Sequence, residues 1–256
     1  MADPPKQLSE VLACGWKIED NDVEKIPFRR MIHEAILGVH SFYMNQGYKL
    51  PKQQSEVWYR MKLWGFLTNF IDTGGKLEYQ PGETTCRATM LRMNLVRDLE
   101  TRHQQGPRVD GMITSSITQM EMCAIEAGKV EGTTGTKILH DCRKLAKIMK
   151  DMFDLICNRC PADCRRQLAT FGILLSGASI SFVSLRYVDG RYYRLHVESS
   201  ISFPPTWDDE GVVSPTIITN WSILSSEWSK WQRMSQCGFR FGRSRTILGT
   251  RCLSRL

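Results

Sequence analysis

Apolar residues recur at helical spacing along the first third of the chain, and the pattern changes to short apolar runs in the middle. From Val23 to about Gln46, Met31, Ile32, Ala35, Ile36, Val39, Phe42 and Tyr43 predict a helix. A second helix is predicted over Gln53–Ile71, with Val57, Met61, Trp64, Leu67 and Ile71 on one face and Glu56 beside that face. Lys76–Thr85 contains Pro81-Gly82 and reads as a loop. Cys86–His103 reads as a third helix, broken by Gln105-Gly106-Pro107. Two short strands follow, at about 108–114 and 120–127, and then a Gly- and Thr-rich loop. The strongest signal is the helix from Thr136 to Ile156. Ile138, Cys142, Leu145, Met149, Met152 and Ile156 form its stripe, widened by Leu139, Ala146 and Phe153, while Lys137, Arg143, Lys144, Lys147 and Lys150 occupy much of the other side. Asp189-Gly190 favours a tight turn, so a hairpin is predicted with strands at about 172–187 and 192–203. Ser214-Pro215 opens a last helix striped by Ile217, Trp221, Leu224, Trp228 and Trp231.

This order predicts a single α/β (α+β) domain with a mixed sheet over about residues 23–236, preceded by a flexible stretch at 1–22 and followed by a basic tail at 237–256. The tail changes how the net charge of +7 is read. Seven basic residues and no acidic one lie after Ser229, so the remaining chain is balanced and overall charge says little about the main domain. An arginine-rich end is either a solvated tail or an arm that holds phosphate. No apolar run reaches the roughly 20 residues of a membrane span. The first residues lack the build of a signal peptide, and the nine cysteines are an odd number; reduced thiols and a cytoplasmic or nuclear setting are expected.

The candidate chemistry lies between Val109 and Ile156. Asp110 and Glu126 each sit in an apolar strand, where a carboxylate needs a partner or a cation. They are either members of a satisfied structural network or the makings of a metal site. Cys157, Cys160 and Cys164, with Cys142, Cys123 or His140 as a fourth ligand, form a second candidate for metal, without the second CxxC of a zinc module. No phosphate-binding Gly-rich loop with its lysine and no G-x-S-x-G elbow is found, so ATPase and serine-hydrolase readings have no support.

Val109-Asp110-Gly111 on one strand, Ile125-Glu126-Ala127-Gly128-Lys129 on the next and a Lys-rich helix after them resemble the core of the restriction-endonuclease-like, PD-(D/E)XK superfamily. The same words, with Lys144-Leu145-Ala146-Lys147-Ile148-Met149-Lys150-Asp151-Met152, are similar to a group of uncharacterised fungal proteins and, through them, to Crinkler-type nuclease-like modules. The resemblance covers about residues 53–203. It implies an αβββαβ core in which Asp110 and Glu126 hold Mg²⁺, Glu56 is a third acid, and Lys129 orients the attacking water. Metal-dependent hydrolysis of nucleic acid is the implied activity; a binding module that keeps the fold without the chemistry is the alternative. One departure bears on this choice. The family spaces acid and lysine two apart, on one face of the strand, whereas Lys129 is three after Glu126. A bulge at Gly128, or Lys137 or Lys144 from the helix, would restore the geometry.

Overall fold

The computed structural model describes residues 37–206, apart from 48, 52–53, 66, 68–76, 96, 98–101, 117, 129–134, 160–164, 167, 190–191 and 204–205. The predicted C-terminal tryptophan helix, the flexible N-terminus and the basic tail lie outside these residues. Among the described residues the fold is α/β, with four helices and one six-stranded mixed sheet. Helix α1 covers residues 37–45 and α2 is Glu56–Lys62. Strand β1 (Leu77–Thr85), helix α3 (Arg87–Asn94), strands β2 (Arg108–Ser115) and β3 (Glu121–Gly128), helix α4 (Gly135–Cys157) and strands β4 (Ala169–Ser176), β5 (Ser179–Asp189) and β6 (Tyr192–Ser202) follow. The strands lie in sequence order across the sheet. Every neighbouring pair is antiparallel except β3 and β4, which are parallel and joined through α4. Among the described residues no helix is long and apolar enough to cross a membrane.

Alternating strand residues feed two cores, one on each face of the sheet. Ile113, Ile125, Phe171, Ile173 and Phe182 pack with Phe42, Tyr43, Leu63 and Trp64 from the α1–α2 side. Met112, Ala124, Val183 and Leu185 pack with Leu145, Ile148, Met149, Met152 and Phe153 of α4. Burial on both faces explains why β2 to β4 read as apolar runs instead of clean alternations. Helix α4 lies close against β4 because Gly172 has no side chain: a Cβ there would stand 2.6 Å from Leu145 Cδ2 and 2.9 Å from Met149 Sδ. Gly172→Ala is therefore expected to cost about 1–3 kcal/mol by overpacking, measured by urea denaturation. A loss under 0.5 kcal/mol would show that α4 can shift freely on the sheet.

Four expectations need correction. Lys76–Thr85 is largely the edge strand β1, not a loop; Pro81 and Gly82 (φ +92°) fall at a register shift, and an edge strand tolerates a missing N–H there. The span 172–187 is not one strand but parts of two, because Gly177 (φ +56°) turns the chain between β4 and β5. Helix α2 stops at Lys62, well short of Ile71, and Val57 and Met61 are 51% and 69% exposed; the stripe fails because the chain turns at Leu63 and delivers Trp64 and Leu67 to the core from outside the helix. The third helix ends at Asn94, where the side chain accepts from Gln104 N and donates to Met90 O and Gln104 O, clamping the returning chain. By contrast β2, β3 and α4 lie within a residue or so of their predicted bounds, although Leu139 is exposed and Ile148 takes a core place that the stripe omits.

Candidate functional site

The C-terminal end of β3 is where the sheet meets the start of α4. Glu126 and Ala124 alternate with Ile125 and Ala127, so Glu126 points to the α4 side of the sheet. Its side chain is 5% exposed. Lys144, two turns into α4, lays its ammonium against both oxygens: Nζ is 2.7 Å from Oε1 and donates to Oε2 at 2.9 Å. Buried Oε1 makes no further hydrogen bond. Burial pushes the Glu126 carboxyl up to about 7; Lys144 draws it down, while Asp110 and Asp141 press it further up.

Asp110 stands on β2, next to the Gly111–Ile125 register pair. Its Oδ2 accepts from the Ala127 N–H at 2.8 Å, and its Oδ1 lies 3.4 Å from Arg60 Nη1 of α2. Glu56, in the first turn of α2 beyond the Ser55 cap, lies 3.8 Å from Lys137 Nζ. Burial raises the Glu56 carboxyl, Asp110 adds to this, and Lys137 and Arg60 oppose it. Gly128 lies beneath the Lys137 and Asp141 side chains: a Cβ there would lie 3.4 Å from Lys137 Nζ and 3.5 Å from Asp141 Oδ2, in ordinary contact. Glu126, Gly128, Lys137, Asp141 and Ser176 line one small cleft, floored by Leu174 and Leu175. The floor is fixed from two sides, since Gly177 N donates to Gly128 O and Trp64 Nε1 donates to Gly177 O.

Asp110, Glu126 and Glu56 thus share one neighbourhood with each other. Lys129 lies outside the described residues. Lys144, one of the two helix lysines expected to substitute for it, touches Glu126, whereas Lys137 pairs with Glu56. Arg60 and Asp141 were not foreseen. A local signal existed for Asp141: Lys137, Asp141 and Lys144 share a helical face with buried Ile148, so polar residues occupy a core-facing side near the start of α4. No such signal marks Arg60, whose partner is fifty positions away.

Asp110 Oδ1, engaged only at 3.4 Å by Arg60, and the Glu126 carboxylate, once Lys144 moves off its oxygens, are hard donors of the kind magnesium takes, and that ion is commonly held by one or two carboxylates plus water and phosphate. The donor set therefore fits a hydrated, two-carboxylate ion. It does not fit a three-acid cage: Glu56 is turned to Lys137, and among the described residues no three His, Cys, Asp or Glu side chains are grouped to hold a metal. The cysteine cluster cannot be assembled from what is described, since Cys160 and Cys164 lie outside; Cys123 and Cys157 are buried and in no disulfide, and Cys142 is partly buried. Burial holds the Cys123 thiol well above its ordinary range. The chain matches no protein-family model, no curated protein and no solved structure.

Proposed function

We propose that the cleft, together with Asp110 beside it, is a nuclease-like site in which Asp110 and Glu126 hold a divalent cation, with Mg²⁺ the ion expected, and that the domain hydrolyses phosphodiester bonds in nucleic acid. One observation carries the reading. Two acids on adjacent strands, Asp110 and Glu126, stand at the head of the parallel β3–β4 pair with a lysine amine on the second of them. The order α2-β1-β2-β3-α4-β4, interrupted only by the short α3, supports it, as does the site's charge. Among the described residues four carboxylates (Glu56, Asp110, Glu126, Asp141) face three cations (Arg60, Lys137, Lys144), a balance that favours a cation over a bare phosphate.

When bound, the ion would polarise the phosphoryl group and acidify a water. The chain's own residues do the rest. Asp110 is held in place by the Ala127 N–H and Arg60, so it meets the ion without reorganising. Glu126, buried at the end of β3, would give its carboxylate oxygens to the ion. Lys137, over Gly128 at the mouth of the cleft, is placed to meet a phosphate oxygen.

Single- and double-stranded DNA and RNA, incubated with the full chain and Mg²⁺, provide the test. Cleavage is expected to vanish with EDTA and to fall at least about 100-fold in Asp110→Asn and Glu126→Gln. The second reading, a nucleic-acid- or protein-binding module without chemistry, is favoured by the ion pairs already satisfying both acids. Binding without cleavage, unchanged in both variants, would select it.

A further inference from the structure

Resting on the metal-site reading above, we infer that Lys144 is a built-in counter-ion that a divalent cation must displace from Glu126, and that the displaced ammonium then contacts the phosphate. Lys144 straddles both Glu126 oxygens at 2.7 and 2.9 Å, which is the place an incoming ion would take. The other two cations of the cleft are engaged elsewhere, Arg60 with Asp110 and Lys137 with Glu56. A dication and an ammonium cannot share the same carboxylate edge without strong repulsion. Lys144 can leave: its side chain is partly exposed and rides on a flexible four-carbon stem. Without an ion, Lys144 neutralises Glu126 and is itself held there. With the ion seated, Lys144 loses its partner beside the reacting phosphate. Binding of metal and of nucleic acid is thus ordered, metal first, through one side chain.

The competition has a measurable size. If the arrangement with Lys144 away from Glu126 is about 10% populated, the apparent affinity for the ion is reduced about tenfold, and removing the ammonium restores it. Mn²⁺ binding to the full-length chain, followed by electron paramagnetic resonance without substrate, reads this directly. Lys144→Gln is expected to tighten Mn²⁺ about tenfold, Lys144→Arg to leave it within about twofold, and Lys137→Gln, which removes a charge not seated on Glu126, to change it less than about threefold. Fluorescence anisotropy of a labelled single-stranded oligonucleotide in Ca²⁺ and in EDTA completes the test. Lys144→Gln should weaken binding in Ca²⁺ and leave it unchanged in EDTA. Mn²⁺ binding that Glu126→Gln abolishes but Lys144→Gln does not tighten would overturn the displacement and leave the metal site standing. No Glu126-dependent Mn²⁺ binding in wild type or in Lys144→Gln would overturn the metal site itself, and the displacement with it.

Discussion

Glu126→Gln is expected to make the protein more stable at pH 8 while removing the metal-dependent cleavage proposed above. The reason is the direction of the Glu126 shift. Burial lifts the folded-state carboxyl from 4.5 to about 7 even with Lys144 against it. Between those two pH values the folded state binds more protons than the unfolded chain, so stability falls as pH rises through that window and levels off above about 7. The displacement corresponds to about 3 kcal/mol, an upper figure because unpaired Lys144 loses its partner in the variant. Urea denaturation from pH 4.5 to 8.5 would measure it. The two proteins should be nearly equal at pH 4.5 and diverge towards pH 7, with the glutamine form ahead and its own profile flatter. A wild type that gains stability over this window would show that the Lys144 pair outweighs burial, and that Glu126 is a structural ion-pair residue.

The second large effect lies away from the cleft. Helix α3 begins without a side-chain cap of its own, because Cys86 makes no such hydrogen bond. Glu121 of β3 supplies it: Oε1 accepts from Arg87 N at 2.6 Å and Oε2 from Ala88 N at 2.8 Å. Glu121 is 7% exposed, so no water replaces it easily. Hydrogen bonds to a charged group contribute about 1.5–3 kcal/mol each, and a carboxylate also suits a helix N-terminus. Glu121→Ala is expected to cost about 3–5 kcal/mol in urea denaturation at pH 7. Glu121→Gln, which keeps one acceptor oxygen, should lose roughly half of that. An alanine variant within 1 kcal/mol of wild type would mean that α3 starts unaided. The same carboxylate helps burial push the Cys86 thiol up to about 12, so that thiol stays protonated in the folded protein.

What was legible in the sequence was what local periodicity encodes. Helix α4 stands on a long apolar stripe, and β2 and β3 are apolar runs bracketed by turn residues. Asp110 and Glu126 were legible because carboxylates in such runs demand an explanation. Strand β1 was hidden because Pro81-Gly82 is a turn signal whose meaning changes at a sheet edge, where a bulge absorbs it. The β4–β5 boundary was hidden because Ser176 to Ser179 carries only one glycine and no other break in the β-forming composition. Glu121 and Arg60 act on partners 34 and 50 positions away, and a contact of that separation has no period.

The lone parallel junction between β3 and β4 has a consequence for how the chain assembles. On one side of it, β1, β2 and β3 pair antiparallel in sequence order; on the other, β4, β5 and β6 do the same. The β2–β3, β4–β5 and β5–β6 pairs close between strands adjacent in sequence, contacts that form early and quickly, while β1 joins β2 across helix α3. Joining Cys123 to Phe171 and Gly128 to Ser176 instead requires the whole intervening segment, α4 included, to close as one loop. Folding is therefore expected to be limited by docking two preformed half-sheets along this seam, with Gly172 in its second strand admitting α4. The cleft opens at the end of the same seam, so Asp110 and Glu126 come together within the first trio, whereas Leu174, Leu175 and Ser176 of β4 complete the cleft only when that last step is done.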